Sequence, residues 1–144
     1  MKKLSVNDII KQHSKLIKFT GGLDGVRDEN MLENAAMNCY QTFDSMELYP
    51  TVVEKASRLA YSLCHNHPFI DGNKRIAILS YMLMLNLNGL TIKATQNELI
   101  ESGLSMANGI MSYDDVLMRT NEYLITEYFP NTTKWESDFK TRKE

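Results

Sequence analysis

Apolar residues recur at helical spacing along most of the chain, as in Val6, Ile9, Ile10, His13 and Leu16, and again in Val52, Val53, Ala56, Leu59, Ala60 and Leu63. Each of these runs follows a hydroxyl residue placed three positions before a carboxylate, Ser5 with Asp8 and Thr51 with Glu54. Thr95 with Glu98 and Ser112 with Asp115 repeat the arrangement. In such a capping box each side chain satisfies a free backbone N–H at the helix start; glutamate is the usual third-position partner and aspartate a weaker variant. Four helices are therefore predicted. A fifth is predicted from near Asp28, where Met31, Leu32, Ala35, Ala36 and Cys39 trace one face. A sixth is predicted from near Asn73 to the Asn88-Gly89 stop. From residue 76 to 87 this last helix is apolar nearly all round, the composition of a buried bundle axis.

Strand patterns are scarce. "TIK", residues 91–93, suits a short extended piece, and "TFDSMELYP", residues 42–50, has no helical period and reads as a loop or small hairpin. "GGLDGVRD", residues 21–28, carries three glycines in eight positions and reads as a shaped turn, either a plain connector or a ligand contact. The expected fold class is all-α (mainly α), a single domain over residues 1–144 with a polar tail at 131–144.

Composition supports a folded chain: 43% of the 144 residues are hydrophobic, 24% are charged, and there are only seven glycines and three prolines. The formal charge of -2 supplies no global basic field, so direct nucleic-acid binding is not expected. The most apolar run is interrupted by Ser80, Asn86, Asn88 and Gly89 and falls short of the roughly 20 residues a membrane span needs. Cys39 and Cys64 form no CxxC pair, and no secretory leader pattern opens the sequence, so a cytoplasmic location with reduced thiols is expected.

The densest chemistry lies in "NHPFIDGNKRIA", residues 66–77. The backbone N–H groups of Gly72, Asn73 and Lys74 fall at the start of the predicted sixth helix, where free donors and the helix dipole favour an anion. Lys74 and Arg75 add full charges, and arginine can grip two phosphate oxygens at once. Asp71 supplies a hard oxygen ligand of the kind that holds Mg2+ together with substrate phosphates. His67 carries the side chain best suited at neutral pH to take a proton from an attacking hydroxyl. Pro68 and Phe69 are read as shape, with Phe69 anchoring the loop in the core. Each residue also has a plainer reading, in turn a solvated histidine, a helix cap and a charged face; it is the ordered combination that points to phosphoryl-group transfer.

"HPFIDGNKR", residues 67–75, resembles the signature of the Fic/Doc superfamily, His-x-Phe-x-(Asp/Glu)-Gly-Asn-x-Arg, with every defining position filled. "GGLDGVRDENMLENA", "TFDSMELYP" and "LNLNGL" resemble the flanks of its death-on-curing (Doc) branch, so the resemblance spans about residues 6–128. It implies a helical bundle around a central buried helix, with residues 42–50 as a flap that aligns a target segment by strand addition. It also implies His67 as the general base, Asp71 as the Mg2+ ligand, Gly72, Asn73 and Lys74 as an anion hole and Arg75 on the nucleotide phosphates. Adenylylating Fic enzymes usually read Gly-Asn-Gly-Arg-x-x-Arg, whereas here Lys74 replaces the second glycine and Ile78 the second arginine. Doc-type proteins share both departures. The branch implies transfer of the terminal phosphate of ATP to a serine or threonine of a translation elongation factor, by a growth-arresting toxin held in check by a cognate antitoxin. "TTKWES", residues 132–137, partly matches the inhibitory helix pattern (Ser/Thr)-x-x-x-Glu-(Gly/Asn), but it ends in serine and lacks its arginine partner.

Two enzymatic expectations compete, phosphate transfer and AMP transfer to a protein hydroxyl, together with a third reading as a non-catalytic nucleotide- or partner-binding module. Reading His65-Asn66-His67 as a nuclease triad fails because no strand pair precedes it, and zinc through Cys64, His65 and His67 is crowded and lacks a fourth ligand.

Overall fold

The computed structural model describes residues 1–125. Six α-helices follow in the order α1 (Val6–Thr20), α2 (Glu29–Met37), α3 (Val52–Asn66), α4 (Asn73–Leu87), α5 (Gln96–Ala107) and α6 (Tyr113–Tyr123). A single 3-10 turn, Asn38–Tyr40, and two short strands, β1 (Thr42–Phe43) and β2 (Met46–Glu47), lie between α2 and α3. The fold is mainly α with a small hairpin, as the pattern and the resemblance predicted.

All four hydroxyl-carboxylate pairs form reciprocal capping boxes, at the starts of α1, α3, α5 and α6. The aspartate versions close as completely as the glutamate ones: Ser5 N–H donates to Asp8 Oδ2 at 2.9 Å while Asp8 N–H donates to Ser5 Oγ at 3.0 Å. Asp28 caps α2 by accepting from Met31 N–H. The starts of five helices are thus tied by their own side chains, and α4 alone among the six has no side-chain cap.

The core is built around α3 and α4, which share the most extensive helix interface. The apolar α4 buries Ile76, Ala77, Tyr81, Met84 and Leu85 as its composition predicts. It shares the axis with α3, whose small residues Ala56, Ser57, Ala60 and Ser62 let neighbouring helices approach. Ile78 and Lys74 of α4 pack beside Gly103 of α5, with the Ile78 Cγ1 and Lys74 Cβ atoms 3.7 and 3.6 Å from where a Cβ on Gly103 would lie. A buried hydroxyl cluster joins three helices: Thr120 lies 3.1 Å from Ser57 Oγ and 2.6 Å from the Tyr81 hydroxyl.

Residues 42–50 contain the hairpin, in antiparallel register with Thr42 opposite Glu47 and Phe43 opposite Met46. Its turn residues Asp44 and Ser45 both have positive φ, as a two-residue turn matching strand twist requires. Lys55, buried on α3, donates to Glu47 Oε1 at 2.5 Å and to the Tyr49 carbonyl, pinning the hairpin's return strand to the core. Phe43 and Met46 are left exposed. The "TIK" stretch is extended where Ile92 bridges antiparallel to Leu124. Among the described residues, no helix is long and apolar enough to cross a membrane. The "TTKWES" pattern and the predicted polar tail lie outside the described residues.

Candidate active site

The signature residues form the crossing from the end of α3 to the start of α4. His67 closes α3 in the left-handed conformation, with φ 48° and ψ 55°, and its side chain lies in an exposed position. A non-glycine residue in that region costs about 1–2 kcal/mol and persists only where its surroundings hold it. The hold comes from Arg27, whose Nε donates to the His67 carbonyl at 2.7 Å and whose Nη2 donates to the Asn66 carbonyl at 3.0 Å. A cation on the last carbonyls of α3 also complements the helix dipole. Sequence reading passed over Arg27, because its target lies 40 positions away; its cation inside a glycine-rich turn was the available signal.

That turn is more than a connector. Arg27 and Asp28 N–H groups donate to the Pro68 carbonyl at 2.7 and 3.1 Å, Ile70 N–H donates to the Gly25 carbonyl at 3.0 Å, and Val26 bridges antiparallel to Phe69. Residues 21–28 therefore brace the signature loop as a second strand would.

Inside the loop, Asn73 does its work through two hydrogen bonds back to Phe69: its Oδ1 accepts from Phe69 N–H at 2.8 Å and its Nδ2 donates to the Phe69 carbonyl at 3.0 Å. Both ends of the Asn73 side chain thus hold the loop, while its backbone N–H, in the open first turn of α4, is the group that can face a ligand. Phe69 is 1% exposed and serves as the predicted core anchor.

Asp71 and Gly72 form the mouth of α4. Gly72 is the N-cap at φ 77°, a left-handed conformation that glycine enters without a side-chain clash. One Asp71 oxygen accepts from Gly72 N–H at 2.9 Å and the other from Leu23 N–H at 3.1 Å. The Leu23 and Gly72 donors, with the Arg75 cation nearby, hold the Asp71 carboxyl below the usual carboxylate range. Asp71 is thus ionised at neutral pH, and each oxygen keeps a lone pair. A single ionised, part-exposed carboxylate beside a phosphate-sized set of N–H donors fits a Mg2+ ion that takes its remaining ligands from water and phosphate.

Arg75 lies one turn into α4. Its Nη1 donates to Thr20 Oγ1 at 2.5 Å and to the Gly21 carbonyl at 2.9 Å, and its Nη2 lies 3.6 Å from Asp71 Oδ1. The end of α1 thus aims the guanidinium at Asp71. Gly22, at φ 120°, passes so close that an added Cβ would lie 2.5 Å from Asp71 Oδ2 and 3.2 Å from Arg75 Nη2. Gly22→Ala is accordingly expected to lower activity by about 100-fold, since a displacement of about 1 Å at a reacting group costs that much. Urea unfolding should show a much smaller relative change; activity within a few-fold of the parent would show that the contact is not needed.

The structure gathers Asp71, Gly72, Asn73 and Arg75 at one helix start, with His67 at the other end of the same short loop. It separates Lys74, which points along the α5 side, and Ile78, which belongs to the helix packing. The zinc grouping does not assemble: Cys64 is buried with its thiol toward the Gly103 carbonyl, and burial pushes it up to about 12, while His65 and His67 are in exposed positions.

A family model described as "Fic/DOC family" matches residues 3–85. The chain is 37% identical over 78 residues to the toxin Doc of Mycolicibacterium smegmatis, covering 54% of this chain and 59% of that protein. It is 28% identical over 116 residues to the protein kinase doc of Escherichia phage P1, covering 81% of this chain and 90% of that protein. With the matched model spanning α1 through nearly all of α4, the bundle and the loop between α3 and α4 place the chain in the Fic/DOC family.

Proposed function

We propose that the protein is a Doc-type toxin that transfers the terminal phosphate of ATP to a serine or threonine hydroxyl of a protein target. The observation that carries this reading is the start of α4, the one α-helix start among the described residues without a side-chain cap, set directly beside an ionised Asp71. Backbone N–H groups there meet phosphate oxygens, with Arg75 on the same face. The relatives' names, a toxin and a protein kinase, support the same chemistry.

In the proposed reaction the target hydroxyl is held by strand addition to the exposed hairpin at residues 42–47. His67 accepts the hydroxyl proton as its oxygen bonds to the γ-phosphorus, and the bond between that phosphorus and the β–γ bridging oxygen breaks, releasing ADP. Asp71 would hold Mg2+, which when bound would supply charge neutralisation on the phosphates. The N–H groups of Asn73 and Lys74 hold the oxygens on which charge concentrates, joined by that of Gly72 only if it exchanges its bond to Asp71 Oδ1, and Arg75 holds the remaining phosphates. A translation elongation factor is the proposed target, and a cognate antitoxin the proposed partner.

AMP transfer is the second reading. A second phosphate-binding arginine would stand at position 78, where Ile78 instead packs against α5, and this favours γ-transfer. Incubation of the protein and elongation factor with ATP labelled separately at the α- and γ-phosphates tests the choice. Label on the target from γ-labelled ATP alone is the expected result. Label from α-labelled ATP would establish AMP transfer, and nucleotide binding without label from either would establish a binding module.

A further inference from the structure

His13 occupies a position in α1 where the apolar pattern calls for a core residue, and it is 1% exposed. A leucine would fill that space at no cost in buried polarity, whereas an imidazole must find partners. The partner it finds is outside its own helix. Its ring stacks on Phe69 with centroids 3.8 Å apart and planes 9° apart, and its Nε2 lies 2.7 Å from the Asp71 carbonyl oxygen. A carbonyl only accepts, so Nε2 carries the proton and donates. Among the described residues, no other donor reaches that carbonyl.

The peptide unit is planar and trans, so the Asp71 C=O and the Gly72 N–H belong to one rigid plate and point in opposite directions. Fixing the carbonyl fixes the N–H. Gly72 at positive φ gives that plate little restraint of its own, because glycine tolerates many backbone orientations. His13 Nε2 also lies 3.4 Å from the place a Cβ on Gly72 would take, so the ring backs the whole unit. The stack on Phe69 holds the ring plane, and on its far side Nδ1 lies 3.4 Å from Asp24 Oδ1, an oxygen that accepts from Ser14 at 3.1 Å and Gly25 N–H at 2.8 Å.

We propose that His13 is a positioning residue for the phosphate site, orienting the Asp71–Gly72 peptide through its Nε2–H so that the Gly72 N–H meets Asp71 Oδ1 and the carboxylate and the free donors of the α4 start keep their placement toward the nucleotide. This rests on the phosphate-binding reading above. It acts through the backbone and touches no reacting atom.

The test compares His13→Gln, whose amide nitrogen reaches close to the place of Nε2 and keeps a donor, with His13→Phe and His13→Leu, which keep bulk without one. Three quantities are read in each: phosphate transfer, affinity for the magnesium complex of a non-hydrolysable ATP analogue, and the amide resonance of Gly72. Loss of the donor is expected to lower transfer by about 100-fold, as for other misplaced binding groups, and to shift the Gly72 amide. His13→Gln should recover most of the transfer and affinity and return the Gly72 amide toward its parent position. Two donorless variants guard against one that fails to fold. If glutamine does no better than phenylalanine or leucine on affinity and on the Gly72 amide, His13 is a packing residue and the proposal falls. Should the parent protein transfer no label at all, the phosphate-transfer reading fails by itself, while affinity and the Gly72 amide still decide the role of His13.

Discussion

His67→Ala is expected to reduce phosphate transfer by about 100- to 10,000-fold, the range that a lost general base produces. Nucleotide affinity should change little, because the phosphate donors belong to the next helix. The side chain is exposed, and the Arg27 contacts are to carbonyls, which survive the change. His67→Gly sharpens the experiment. It removes the same imidazole but relieves the left-handed backbone, so it should be inactive yet more stable than His67→Ala by about 1 kcal/mol in urea unfolding. An alanine variant that transfers phosphate at near-parent rates would place the base elsewhere.

Asn73→Ala is expected to be the most damaging single change to the loop. It strips partners from the Phe69 N–H and C=O, in a residue that is 1% exposed. Each orphaned group costs about 1–3 kcal/mol, so a loss of about 2–6 kcal/mol is expected, a large part of the total stability of a small domain. Asn73→Asp keeps an acceptor for Phe69 N–H while losing the donor, and should fall between the two. Urea midpoints at constant slope measure both. A loss below about 1 kcal/mol for alanine would show that water satisfies the loop in its place.

The contrast between these two residues shows what was legible in the chain. His67, Asp71, Gly72, Asn73 and Arg75 were readable because their chemistry is carried in nine consecutive letters, and the capping boxes because each is closed over three residues. The hairpin was readable as one of two options from its lack of helical period. What escaped was the long-range bracing. His13 sits in the apolar stripe of its helix, and periodicity reports a face without naming what that face meets. Arg27 reaches a carbonyl that no side-chain pattern reveals, since backbone acceptors look alike at every position. Asn73 was legible as part of the loop but not in its posture: an asparagine beside a phosphate nest reads as a ligand group, and only the fold shows both ends of its amide turned to Phe69.

The bare start of α4 has a consequence for the protein's architecture. Each of the other five described α-helices finishes its first turn with a side chain from its own sequence, whereas α4, half of the central pair, leaves that turn open at the site proposed for phosphate. On the proposed function, ATP is then a missing piece of secondary structure as well as a reactant. Its arrival completes the scaffold at the moment it supplies the group to be moved, and the departure of product leaves the scaffold unfinished again.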